Sequence, residues 1–290
     1  MNKLEEANKQ FEKAIERANE IATETRKNNI RILLAEDNIV NREIALKILG
    51  KFGYRIDAVE NGMEALKALE KIPYDLVLMD IQMPVMDGYT ATREIRNPQS
   101  AIRNHKIPVI AMTAHTMQSD RDACIEAGMD DYVSKPISPK KLSEAIERWT
   151  ENDEESDFLS HDEIGENDSP EDNAAPGMTE EKPPIDLDSA LERAMGNKEF
   201  LDKMIHGFTK SMPEQIESLR DLIKQGDDDA LRKGAHSLKG ASANLSMNGL
   251  SAAALRLEQV GRTGELAEAD EALGELVRQF EVLEEFLALK

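Results

Sequence analysis

Apolar positions change their period along the chain. Over residues 1–28, Leu4, Ala7, Phe11, Ala14, Ala18, Ile21 and Thr25 recur at alternating steps of three and four, with no Gly or Pro and six acids balancing six bases. That spacing predicts one amphipathic helix. Its seam holds three Ala and a Thr over barely three heptads, which is short for a stable coiled coil. Dimerisation through this helix and packing on the neighbouring domain therefore both stand as readings. From Ile30 short β-rich runs alternate with helical ones: Ile30–Ala35, Ile39–Phe52, Arg55–Val59, Met63–Ile72 and Leu76–Met79. A helix near Tyr89–Arg96, a strand Pro108–Met112, a helix near Ser119–Ala127, a short strand at Tyr132–Val133 and a helix Pro139–Thr150 continue the series. Five strands, each followed by a helix, predict a doubly wound α/β domain over 29–150, its parallel sheet covered on both faces. Residues 151–184 break the pattern with four Pro and little apolar content, as expected of a disordered linker. From 185 to 290 strand signals vanish and long helical patterns predict an all-α bundle. Pro213 sits inside the stretch Phe200–Lys224 and should kink or split that helix.

Charge changes the picture only once it is located. The 290 residues carry 36 Lys and Arg against 57 Asp and Glu, a net charge of −21. The linker alone holds thirteen acids and one base, so more than half of the excess lies outside the folded parts and calls for no acidic binding site. Nucleic acid is disfavoured as a partner by this balance, by the absence of a basic recognition helix and by an aromatic content of 4%. The single Cys124 rules out an intramolecular disulfide and a cysteine-rich zinc site. No apolar run approaches the roughly 18 residues of a membrane helix, and the first six residues lack the apolar stretch of a secretory signal. A cytoplasmic chain without membrane insertion is the expectation.

In a parallel sheet, ligands collect at the carboxyl ends of the strands. There the first strand runs into Glu36 and Asp37, the third delivers Asp80, the fourth Thr113 and the fifth Lys135. Each residue alone has an ordinary explanation, since strand-end acids often cap the next helix. Together they bring three carboxylates, a hydroxyl and an ammonium to one edge. Like charges at short range call for a cation, and hard oxygen ligands suit Mg²⁺. A carboxylate beside Mg²⁺ and a lysine is suited to attack phosphorus, with Asp80 as covalent nucleophile.

Ile32–Asn38, Asp75–Gly88, Ala111–Ala114 and Ser134–Pro136 resemble the corresponding motifs of the two-component receiver domain, over about 120 residues. The resemblance implies a flavodoxin-like fold with Asp80 as phosphoacceptor. It also implies Mg²⁺ held by Asp37, Asp80 and the backbone carbonyl of Gln82, with Glu36 acting through water. Thr113 and Tyr132 would relay phosphorylation to the surface, and a Lys135–Pro136 bond that is commonly cis in the family would aim Lys135 into the site. Glu36 stands where many receivers carry Asp, in a Glu-Asp-Asn form familiar from receivers of hybrid sensor kinases.

Of the five histidines, His105, His115, His161 and His206 read as surface or linker residues. His236 differs in its neighbours: Lys239 and Gly240 fall at i+3 and i+4 on the same helical face. The ammonium can pair with a phosphoryl group on the ring. A mid-helix glycine costs about 1 kcal/mol relative to Ala, and close approach by a partner protein is a sufficient reason for Gly240. The segment resembles the His-x-x-Lys-Gly core of the histidine-phosphotransfer domain, a four-helix bundle. Ile185–Asp188, Ser211–Glu214, Leu257-Glu258 and Gly261 extend the likeness. By that resemblance His236 carries the phosphoryl group and Lys239 supports it. Ser246 departs from the small Gly many members have after Ala-Asn-Leu.

The chain is thus similar to the C-terminal part of a hybrid sensor histidine kinase, with neither a P-loop nor a kinase's ATP-binding signatures. The expected function is a phosphorelay: an upstream histidine kinase phosphorylates Asp80, the group exchanges with His236, and a downstream receiver collects it. The linker, with a root-mean-square span of about 30 to 35 Å, permits transfer within one chain or between chains. The rival readings are an interaction switch without Asp80–His236 transfer, and a phosphate sink running in reverse.

Overall fold

The computed structural model describes residues 13, 15, 17, 22, 25–113, 118–150 and 183–289. The expected linker falls outside the described residues except for Pro183 and Pro184, and so does the N-terminal seam except for Thr25. The strands are β1 (Arg31–Ala35), β2 (Arg55–Val59), β3 (Leu76–Asp80), β4 (Val109–Thr113) and β5 (Asp131–Ser134), and all pairs are parallel in the order β2-β1-β3-β4-β5. Between and after them run α1 (Ile39–Lys51), α2 (Gly62–Lys71), α3 (Gly88–Arg96), α4 (Gln118–Ala127) and α5 (Pro139–Thr150). β3 and β4 are buried at every position, as apolar runs covered on both faces require. Their alternation divides the core. Leu33, Val77, Met79, Val109 and Ala111 pack with Ala65, Leu69, Ala91, Ile95 and Cys124 on the α2–α4 side. Ile32, Leu34, Leu76, Leu78 and Ile110 pack with Ile44, Ile48, Leu142 and Ile146 on the α1–α5 side. Described residues at the end of the N-terminal helix lie against α5: Lys27 pairs with Glu147 at 2.7 Å and Arg26 donates to the Thr150 carbonyl.

The second unit comprises α6 (Leu187–Arg193), α7 (Lys198–Gln225), α8 (Asp228–Asn244), α9 (Asn248–Thr263), a 3-10 turn (Leu266–Glu268) and α10 (Ala269–Ala288). The four long helices enclose Phe208, Met212, Leu231, Leu238, Leu257, Leu276 and Leu283. Asp186, Asn197 and Asp227 cap α6, α7 and α8 by accepting backbone N–H bonds. At Gly261 a Cβ would meet the backbone of Asp228 and Arg232 at 2.7–2.9 Å, so α8 and α9 touch backbone to backbone there.

Of the two outcomes expected of Pro213, splitting does not occur: α7 runs unbroken through it. Ile205, Phe208 and Met212 before it and Ile216 and Leu219 after it are all buried on one core, and that continuous packing outweighs the roughly 3 kcal/mol a helical proline costs. The turn after α8 also survives Ser246, which adopts φ +57°, a left-handed conformation that favours glycine. Its backbone carbonyl accepts from Asp186 N and its hydroxyl from Arg193, so one backbone and one side-chain bond hold the turn. The helix cores match the sequence expectation, while β3 and β4 each extend one residue further, to Asp80 and Thr113.

Candidate functional site

At the carboxyl edge of the sheet, Glu36, Asp80 and Lys135 are buried together. Lys135 Nζ lies 2.7 Å from Glu36 Oε2 and 2.8 Å from Asp80 Oδ2. Ligand oxygens of Glu36, Asp37 and Asp80 come within 4.8 Å of one another. Burial raises the Asp80 carboxyl well above the usual range, with Glu36 and Asp37 adding and Lys135 opposing. Burial and Glu36 push Asp37 up to about 6. Burial alone would lower Lys135, but Asp80 and Glu36 more than offset it and raise the ammonium above its ordinary value. One cation thus faces three carboxylates. That surplus of hard anionic oxygens fits a small divalent cation such as Mg²⁺. Glu36 stands one step back, since Lys135 and the Asn41 amide (2.9 Å) occupy its oxygens. Gly88 is needed because a side chain there would collide with the Asp80 carbonyl. The Lys135–Pro136 peptide is cis.

In the helical unit His236, Lys239 and Glu258 form a second buried cluster. Glu258 Oε1 lies 2.7 Å from His236 Nδ1, and its Oε2 lies 2.6 Å from Lys239 Nζ. Burial would raise Glu258, but its bonds and charge contacts with His236 and Lys239 bring it down to about 2. An ionised carboxylate only accepts, so Nδ1 carries the proton and Nε2 keeps its lone pair. Burial lowers His236, the Lys239 and Lys135 charges add to that, and Glu258 opposes it. The ring is therefore neutral at pH 7.

The two clusters face each other. Ile81, Gln82, Met112 and Thr113 line one side of a cavity of about 180 Å³, and Arg232, Lys233 and His236 line the other. Asn38 caps α1 and also donates to the Ser237 carbonyl at 3.2 Å and hydroxyl at 2.9 Å. Asn244 Nδ2 donates to Asn41 Oδ1 at 2.8 Å, and its Oδ1 accepts from Ile137 N at 3.0 Å. Lys47 stands 5.3 Å over the Phe200 ring, and Lys51 reaches the Met195 carbonyl.

The structure brings the predicted residues together with a few differences. Thr113 is buried in the cavity wall, and Tyr132 is half-buried with Arg121 5.7 Å from its ring centre. Gln82 lines the cavity, with its side-chain Oε1 buried and without a hydrogen-bond partner. Gly240 faces the receiver-like unit, where a Cβ would meet Asn41 Nδ2 at 3.2 Å. Lys239, expected to face a phosphoryl group, points at Glu258, the anion within reach. His206 is exposed as expected, and His115 and His161 lie outside the described residues. His105 is half-buried, its Nδ1 2.8 Å from the Ile95 carbonyl, so it ties a loop rather than lying free on the surface. Sequence reasoning missed Glu258 as the partner of His236. Its signals were the likeness that Leu257-Glu258 extends and a lone acid in the apolar face of the next helix, neither of which names its partner.

Among the described residues no helix is long and apolar enough to cross a membrane. The family model for the response regulator receiver domain matches residues 32–147, and that for the Hpt domain matches residues 203–286. The sensor histidine kinase GacS of Pseudomonas protegens is 31% identical over 255 residues, covering 86% of this chain and 27% of that protein. The sensor protein GacS of Pseudomonas syringae pv. syringae is 30% identical over 246 residues, covering 85% and 26%. The chain therefore spans about a quarter of the length of these curated relatives. Among solved structures, the receiver domain of sensor histidine kinase PA1611 from Pseudomonas aeruginosa PAO1, with magnesium coordinated in its active site cleft, is 43% identical; it covers 42% of this chain and 98% of that one, with a TM-score of 0.39.

Proposed function

Because this chain joins a response regulator receiver domain to an Hpt domain, we propose that it is a phosphorelay unit in which Asp80 takes up a phosphoryl group and exchanges it with His236. The observation that carries this reading is the shared cavity, with His236 on one wall and Thr113, beside the Asp80 pocket, on the other.

An Asp80 oxygen attacks phosphorus, and the bond to the donor breaks. Lys135 holds that carboxylate in place and balances charge on the transferring oxygens. Mg²⁺ held by Asp37, Asp80 and the Gln82 carbonyl, with Glu36 through water, supplies further electrostatic stabilisation when bound. His236 Nε2 then attacks the aspartyl phosphate, the P–O bond to Asp80 breaks, and the carboxylate is restored. Glu258 keeps the proton on Nδ1 and balances the charge that the phosphorylated ring acquires. The reverse sequence returns the group to Asp80. Thr113 and Tyr132 carry the state of Asp80 to the surface. The upstream donor is a histidine kinase, and the downstream acceptor is a separate receiver that meets His236 after the two domains part, since His236 is only 6% exposed while docked.

The test is labelling with acetyl phosphate and Mg²⁺ in wild type, Asp80→Asn and His236→Ala, scoring base-labile acyl phosphate against acid-labile phosphohistidine. Wild type should carry both labels, His236→Ala only the first and Asp80→Asn neither. Phosphohistidine that persists in Asp80→Asn would sink the proposal.

A further inference from the structure

Asn41 and Asn244 are polar residues on two different domains, yet they are only 2% and 1% exposed. Their amides close a ring of contacts that starts and ends at one loop. Lys135 Nζ pairs with Glu36, Glu36 accepts from Asn41 Nδ2, Asn41 Oδ1 accepts from Asn244 Nδ2, and Asn244 Oδ1 accepts from Ile137 N, two residues beyond Lys135. Only Asn244 comes from the Hpt domain, so its arrival completes a ring otherwise built inside the receiver.

We propose that Asn41 and Asn244 are the positioning pair that seats this chain's own Hpt domain on its receiver and registers His236 over Asp80. This rests on the phosphorelay reading for its consequence, but the seat itself is a matter of docking. Three features point to the pair rather than to the interface at large. Buried amides are costly unless bonded, so an Hpt surface without a donor and an acceptor at these two points leaves Asn41 Oδ1 and Ile137 N unpaired. Gly240, four residues before Asn244, lets Asn41 approach α8 closely. And the Glu36–Lys135 pair that braces Asp80 is one link of the same ring. Asn38 adds two part-buried bonds to Ser237 on the same helix, whereas Lys47 on Phe200 and Lys51 on a carbonyl are rim interactions of long side chains that carry little register.

The test uses the full chain with two readouts: hydrogen exchange at Ile137 N–H, which reports docking, and phosphohistidine formed per aspartyl phosphate after acetyl phosphate and Mg²⁺, which reports relay. The variants are Asn41→Ala, Asn244→Ala, the double Ala variant and Asn244→Asp. The last keeps the side-chain shape and the acceptor for Ile137, but sets oxygen against Asn41 Oδ1. Each single variant should slow relay by roughly ten- to hundredfold, the worth of a buried hydrogen bond. The double variant should lose less than the two single losses combined, the mark of a shared contact. The two Ala variants at 244 should also lose protection at Ile137. Protection and relay at wild-type levels in both Asn244→Ala and Asn244→Asp, or fully additive losses, would overturn the pair. A wild-type chain that is protected at Ile137, loses protection in Asn244→Ala, yet never moves label to His236 would support the seat and overturn the phosphorelay reading.

Discussion

In the receiver half one ammonium, Lys135, faces the three carboxylates Glu36, Asp37 and Asp80, whereas in the Hpt half Lys239 faces Glu258 alone, with a neutral imidazole beside it. Both sites are buried, but their charge balance differs. Burial, with the neighbouring carboxylates adding to it, holds Asp37 near 6 and raises Asp80 well above its ordinary value. The Hpt cluster is neutral as built, with its carboxylate held near 2. In the proposed relay, the pocket that would form the acyl phosphate on Asp80 therefore depends on a cation, and the helix that would store the phosphoryl group on His236 does not.

The largest way to break this contrast is to remove each lysine. In Mg²⁺-free buffer, Lys135→Met should destabilise the receiver by about 3–5 kcal/mol, because it leaves buried Glu36 and Asp80 without their cation. Lys239→Met should cost the Hpt domain about 1–3 kcal/mol, since Glu258 keeps His236 as a partner. Denaturant unfolding of both variants measures this, and equal losses would end the distinction. Metal removal comes next: EDTA should cut labelling of Asp80 by about a hundredfold or more. Decay of phosphohistidine already formed at His236 should be unchanged, as followed by acid-labile label over time.

Glu258→Gln sharpens the Hpt side. Folding lowers Glu258 from 4.5 to about 2, so the ionised form favours the folded state. Its contribution is complete above the unfolded value and is lost as pH falls toward the folded one. Wild type should exceed the variant by about 1–3 kcal/mol at pH 7, with the gap shrinking between pH 4.5 and 2. A gap that grows on acidification would contradict the placement of the proton on His236 Nδ1. The smallest effect is expected at Gly240. Gly240→Ala should strengthen α8 by up to about 1 kcal/mol while pressing on Asn41 at 3.2 Å. Thermal stability of the bundle should rise as relay slows a few-fold; unchanged relay would mean that Asn41 yields freely.

The sheet and the receiver pocket were legible in the sequence because buried parallel strands are uniform apolar runs, so any polar or charged residue at their ends stands out. Asp37, Asp80, Thr113 and Lys135 declared themselves in this way. His236 was legible through Lys239 and Gly240 on its own helical face. Glu258 was harder, because it lies 22 residues away on the next helix and no local period marks it. The Asn38, Asn41 and Asn244 contacts span 199 to 203 residues, and each residue alone reads as an ordinary helix-end or surface amide. That Pro213 does not split α7 was not legible, because local helix rules carry no information about the core that a helix crosses.

The most direct measurement follows phosphohistidine at His236 after Asp80 is labelled with acetyl phosphate and Mg²⁺, over a wide dilution series of the full chain. Transfer inside one docked chain predicts a rate per labelled chain that does not change with concentration. A rate that falls in proportion to dilution would contradict it, and would mean that the group passes between chains.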